Sequence, residues 1–270
     1  MIPTGRHSLN WRDVSRSWTV QRRVIWALFM REILTRYGRH NIGFLWLFVE
    51  PMLFTLGVTA LWTVTKAVHG SDLPIVAFAI TGYSSVLLWR NMPFRCIGAM
   101  APNLSLLHHR NVRPIDIYLA RLMLEAAGAT MSFVFLTILF HIAGWLSLPE
   151  DLLQVIGGWL MLTWFGFSLA LFLGALSEQS EIVDKLWHPM SYLLFPLSGA
   201  AFLVDALPSE AREVILFLPM VHGVEFLREG FFGSAIEAHH DIVYMAMCNV
   251  VLMLFGLMQE RRVAETLVPE

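Results

Sequence analysis

Several groupings of residues in this 270-residue chain have types and spacings that could do chemistry. Arg90 and Arg95 stand near the end of one apolar run. Guanidinium groups grip phosphate or carboxylate through paired hydrogen bonds, so the two could hold an acidic group on a passing molecule. They could equally anchor a helix end at a membrane surface. Glu50, directly before Pro51, is the one carboxylate in a second apolar run. A charge at the centre of a bilayer costs ~2.5–3.5 kcal/mol on the insertion scale. Glu50 therefore lines a polar pathway, carries protons, or pairs with an arginine near the surface, and the ion pair is the favoured reading. Glu125 invites the same reading through Arg121, its i,i+4 neighbour. His222-x-x-Glu225 and His239-His240-Asp241 lack the ligand count and spacing of a defined metal site. They read as polar groups satisfied at a membrane surface, and no metal is expected. Trp62 and Trp89 could stack on sugar rings, although tryptophan at a membrane interface is ordinary.

Other chemistry is missing. No GxxxxGK[ST] stretch is present to cradle nucleotide phosphates. Neither HExxH, GxSxG nor DxDxDG occurs. Cys96 and Cys248 form no CxxC pair and fall on different elements, against a disulfide framework or a thiolate metal site. An intramembrane lipid or sugar-phosphate transferase would need acid, base or metal groups at one depth, and the carboxylates are scattered. A gradient-driven transporter would show inverted repeats and paired broken helices, and no internal repeat is visible.

The elements that must position these residues are membrane helices. The chain is 56% hydrophobic and 15% charged, with a mean hydropathy of +0.59. Soluble domains average roughly 25% charged residues, which excludes an ordinary water-soluble enzyme. Apolar runs long enough for the ~20 residues a span requires are expected at 43–65, 74–89 (extending towards Met100 with a kink at Pro93), 117–143, 152–176, 187–204 (broken by Pro189 and Pro196) and 242–258. Gly166, Ala170 and Gly174 place small residues at every fourth position of the fourth run, which lets two helix backbones approach closely. Between the fifth and sixth runs, 205–241 is too greasy for a solvated loop and too short to span. It reads as a re-entrant hairpin of two short helices.

Met1 to Gln21 is polar and lacks the apolar core of a cleavable signal peptide. Trp18 to Tyr37 reads as a helix stopped by Gly38, whose Arg22, Arg23, Arg31, Glu32 and Arg36 do not gather on one face. Eight arginines precede Gly43. With six spans, about sixteen Lys and Arg share the side of the termini, against Lys66, Arg212 and Arg228 opposite. The positive-inside rule then puts both termini in the cytoplasm.

Several stretches resemble a known family. Arg31-Glu32, Arg36-Tyr37-Gly38, Ile42-Gly43-x-x-Trp46 and Glu50-Pro51 look like the start of the first span in ABC-2 type permeases, most closely the capsular polysaccharide export (KpsM-type) branch. Val112-Arg113-Pro114 with Arg121 to Glu125, Ser198-Gly199-Ala200-Ala201-Phe202, and Leu218-Pro219 through Glu225, Arg228 and Phe231-Phe232 follow in register. Leu218 stands where that family has Asn before Pro.

The resemblance implies an all-α integral membrane protein: residues 1–42 as cytoplasmic tail and interface helix, 43–260 as a six-span permease domain, 261–270 as cytoplasmic tail. It implies a homodimer of permeases with two copies of a separate ATPase that holds ATP and Mg, no cofactor on this chain, and no nucleic-acid partner. Cargo would be a lipid-linked acidic capsular polysaccharide crossing the bacterial inner membrane, with periplasmic and outer-membrane export components beyond. O-antigen or teichoic acid are the alternative cargoes. Segment 101–114 would dock the ATPase, with Arg31, Glu32, Arg36, Leu106, His108, His109, Arg110 and Asn111 as coupling candidates. Arg90, Arg95, Glu50, Trp62 and Trp89 are the pathway candidates. The hairpin 205–232 would close the outer side, with Arg212, His222, Glu225 and Arg228 as gate candidates.

Overall fold

A computed structural model describes residues 11–38, 41–65, 73–107 and 112–267. The described residues contain helices and no strand. In order, these are α1 (Trp11–Tyr37), α2 (Asn41–Thr65), α3 (Ile75–Cys96), the single turn α4 (Leu104–Leu107), α5 (Pro114–Ile142), α6 (Leu152–Ser177), α7 (Ile182–Leu197), the short pair α8 (Ser209–Ile215) and α9 (Pro219–Phe232), and α10 (Ile242–Leu267). Among the described residues, α5, α6 and α10 are long and apolar enough to cross a membrane, and Val49–Val64 of α2 is a shorter apolar stretch.

The long helices follow the apolar runs closely. α1 ends where Gly38 takes φ +77° and donates its N–H to the Leu34 carbonyl at 3.0 Å, a left-handed stop that glycine supplies without a Cβ clash. α3 does run past Arg90 and Arg95, with Pro93 inside its last turn. The fifth run departs from expectation. α7 begins at Ile182, ahead of the start expected at 187, and ends at Leu197, before the expected end at 204, with Pro189 and Pro196 both inside it. Proline removes one backbone bond, and neighbouring groups in a bundle make up the loss, so Pro189 does not break the helix. Its 16 residues reach about 24 Å, short of the ~30 Å hydrocarbon core.

α6 is the centre of the bundle, packed against α3, α9 and α10. Its small residues explain this. A Cβ on Gly166 would stand 3.0 Å from the Trp89 Cα, and one on Gly174 would stand 2.8 Å from the Cys96 Cβ. The same holds at Gly158, where a Cβ would lie 2.8–2.9 Å from the backbone and Cβ of Leu227. The stripe read from the sequence thus seats α3, and Gly158 extends the seat to α9. Trp89, fully buried, meets Phe165 edge-on at 5.8 Å in this core.

Candidate functional site: a charged cavity between four helices

A cavity of about 470 Å³ opens between α2, α3, α5 and α7, at the end of the bundle where α3 finishes and α5 begins. Glu50, Tyr83, Arg90, Arg95, Glu125 and Tyr192 are among its lining. Three residues singled out from sequence, Glu50, Arg90 and Arg95, therefore meet in one place. Two helices explain the meeting. Arg90 and Arg95 lie in the last two turns of α3, and Glu50 lies on α2 beside it.

Arg90 lies 4.7 Å from the centroid of the Tyr192 ring, and its Nε is buried with no hydrogen-bond partner. No carboxylate lies within 4.0 Å of it among the described residues. A cation held over an aromatic face in a low-dielectric wall is stabilised without being neutralised. Glu50 is exposed and forms no ion pair within 4.0 Å among the described residues, contrary to the pairing favoured from sequence. The reason is geometric: the nearby arginines are engaged by Glu125 or by Tyr192.

Behind the cavity wall lies an ion-pair network that joins three helices. Glu125 pairs with Arg36 of α1 and, at 2.9 Å, with Arg95 of α3. Glu32 pairs with Arg36 at 3.2 Å and with Arg121 at 3.4 Å. Arg121 also donates to the Arg95 carbonyl at 2.8 Å. The i,i+4 pair Arg121–Glu125 expected from sequence is replaced by these cross-helix pairs. Arg121 and Glu125 instead face different neighbours across helix boundaries, which sequence spacing cannot reveal. Removing one partner from such a half-buried pair leaves an uncompensated charge and is destabilising.

α1 is strapped to α5 at two levels. Gln21 donates to Asp116 and, further along α1, Arg36 meets Glu125, while between them Arg31 donates at 2.7 Å to Asn103 in the turn after α3. Of the coupling candidates, Arg31 is exposed and tied to the segment after α3, while Glu32 and Arg36 turn inward to the network. Leu106 is half-buried against the core. His108, His109, Arg110 and Asn111 lie outside the described residues. Of the tryptophans, Trp89 belongs to the core and is closed to any sugar, and Trp62 lies 6.1 Å from Phe78 on the far half of α2.

The gate candidates gather at the opposite end, around α9. Arg228 is 0% exposed. Its guanidinium donates to the carbonyls of Gly199, Ala200 and Phe202 at 2.5, 2.6 and 2.8 Å, and lies 3.9 Å from the Phe78 ring centroid. Two stretches noted separately in the sequence, Ser198–Phe202 and the α9 segment, are thereby one structural unit. Glu225, also buried, accepts from the backbone N–H groups of Val204 (3.4 Å) and His239 (3.2 Å). Burial raises its carboxyl above the usual range, while Arg228 draws it back. His222 donates from Nε2 to the Leu216 carbonyl and accepts at Nδ1 from the Asp241 N–H, both at 2.8 Å. Both ring nitrogens are used by the neutral form, and burial lowers its pKa. Arg212 is tied to Asp205 at 3.1 Å, and the same carboxylate oxygen meets His239 at 3.1 Å.

Comparison with known proteins agrees with this architecture. The chain is 44% identical over 254 residues to the capsule polysaccharide export inner-membrane protein CtrC of Neisseria meningitidis serogroup B, covering 94% of this chain and 96% of that one. It is 41% identical, over the same shares, to the capsule polysaccharide export inner-membrane protein BexB of Haemophilus influenzae. The polysialic acid transport protein KpsM of Escherichia coli is 26% identical over 238 residues, 88% of this chain and 92% of that protein. The profile of the ABC-2 type transporter matches residues 23–232, from the strap on α1 to the last residue of α9. The chain belongs to the ABC-2 type transporter family.

Proposed function

We propose that this chain is the membrane permease of an ATP-driven exporter that carries capsular polysaccharide across the bacterial inner membrane. The observation that carries the proposal is the near full-length similarity to capsule export proteins. The cavity supports it. Arg90 and Arg95 place uncompensated and exchangeable positive charge where an acidic glycan or its lipid phosphate would arrive.

In this reading the chain spans the membrane six times with both termini in the cytoplasm, α1 lies along the inner surface, and residues 205–232 re-enter from outside. The cavity then faces the cytoplasmic leaflet and admits cargo. Two copies pair around the translocation path, two ATPase subunits dock on segment 101–114, and those subunits hold ATP and Mg. The Arg31–Asn103 hydrogen bond would carry motion from that segment into α1. A chain with no nucleotide cradle of its own must be driven by a partner or a gradient, and the similarity to capsule export proteins favours the partner.

Deleting the gene tests the cargo: lipid-linked polysaccharide should accumulate inside the cell, and normal surface polymer would overturn the proposal. Replacing His108, His109 and Arg110 by alanine should abolish co-purification of the ATPase while leaving membrane insertion intact.

A further inference from the structure

Glu125 occupies an unusual position in the cavity wall. One carboxylate oxygen serves two guanidinium groups, Arg36 on α1 and Arg95 on α3. The second of these lines the cavity and the first does not. Arg95 is also the most accessible member of the network, 33% exposed against 11% for Glu125 and 16% for Arg36. In and behind the cavity, four arginines (Arg36, Arg90, Arg95 and Arg121) stand against three glutamates (Glu32, Glu50 and Glu125), one positive charge in excess. The site is thus set to receive an anion, and Arg95 is the cation that can change partners.

We propose that Glu125 is a positioning residue that links cavity occupancy to α1. An oxyanion entering beside Arg90 competes with Glu125 for Arg95, and the carboxylate so released is held by Arg36 alone, tightening the strap between α1 and α5. This rests on the reading of the cavity as the cargo site and adds its regulation. It follows from geometry: the exchange needs no helix to move, only the loss of one of two bonds at the Glu125 carboxylate. Charge-assisted pairs in half-buried sites are strong enough for such an exchange to alter the mobility of the helix they hold.

The test uses the full chain in phosphatidylcholine nanodiscs, with two probes in separate arms. One arm adds phosphatidylglycerol to the bilayer and reads retained lipid by mass spectrometry. The other adds end-labelled polysialic acid to the solution and reads anisotropy. In each, amide hydrogen exchange of residues 11–38 is compared with and without probe. At least one probe should bind, about tenfold more weakly in R90Q/R95Q, and should slow α1 exchange about tenfold. The variants E125Q and R36Q cut the node from opposite sides. Each should still bind the probe, E125Q at least as tightly as wild type, and lose the slowing. Binding with an undiminished α1 response in either variant overturns the role of Glu125 and leaves the cargo site standing. Failure of both probes to bind overturns the cargo site and this inference with it.

Discussion

The two ends of this bundle treat buried charge in opposite ways. Around α9 the buried side chains Arg228, Glu225 and His222 bond to backbone: Arg228 to the carbonyls of the Ser198–Phe202 turn, Glu225 to two N–H groups and His222 to one of each. Ion pairs such as Arg212–Asp205 stay at the more exposed rim. Around the cavity the charged side chains bond to one another, through carboxylates shared between guanidinium groups. A backbone carbonyl cannot be displaced without unmaking the fold, whereas a shared carboxylate yields to a competing oxyanion. The first arrangement holds a shape and the second can respond. Of the residues named as gate candidates, Arg228 accordingly fastens the Ser198–Phe202 turn, and Glu225 fastens the backbone at Val204 and His239.

Breaking the fastened end should have the largest effect. Arg228→Met leaves three buried carbonyls without donors and Glu225 without its compensating cation, so it should destabilise the protein by about 3–5 kcal/mol. A lowered thermal unfolding midpoint and loss of folded protein from detergent extracts would register it. Lysine should not rescue, because one ammonium cannot reproduce the guanidinium fork. Next is Gly158→Ala, where the new Cβ meets Leu227 backbone and forces α6 from α9 at a cost of about 1–3 kcal/mol. The same measurement should show a smaller drop.

A gentler probe of the fastened end is pH. His222 has its pKa lowered by burial, so the unfolded chain takes up a proton first on acidification. Its contribution is complete above the unfolded value of about 6.5 and is lost as pH falls below it. Glu225, raised by burial, acts in the opposite sense at lower pH, from about 4.5 upward. Comparing wild type with His222→Gln isolates the first effect: the stability gap should narrow as pH falls from about 7.5 to about 5.5. A gap independent of pH would show that His222 binds its proton equally in both states.

These contrasts also mark what the sequence makes legible. Long apolar runs and the small residues of α6 predict the helices and a close helix approach along α6, because helical periodicity and small side chains are local properties. Glycine at 38 predicts the end of α1 for the same reason. That α3 is the partner is seen only in the structure. The partners of charged residues are not local. Arg121 lies four residues from Glu125, yet both turn to partners on α1 and α3 instead of to each other, and Glu50 finds no arginine because Glu125 and Tyr192 hold those nearest. Trp89 reads from sequence as a surface aromatic and is core, because Gly166 opposite makes room for it. Arg90, Arg95 and Glu50 are legible as candidates one at a time. Their meeting in one cavity needs α2 and α3 side by side.

The central claim is that the cavity end receives cargo while the α9 end holds the fold. It is tested most directly by measuring surface polysaccharide per unit of folded permease in cells carrying Arg90→Glu with Arg95→Glu. The account predicts that surface polymer, taken per unit of folded permease, falls at least about tenfold with polymer retained inside, the size expected for losing charge-assisted bonds to an oxyanion. Wild-type surface polymer from that variant would contradict it and return both arginines to the role of helix anchors.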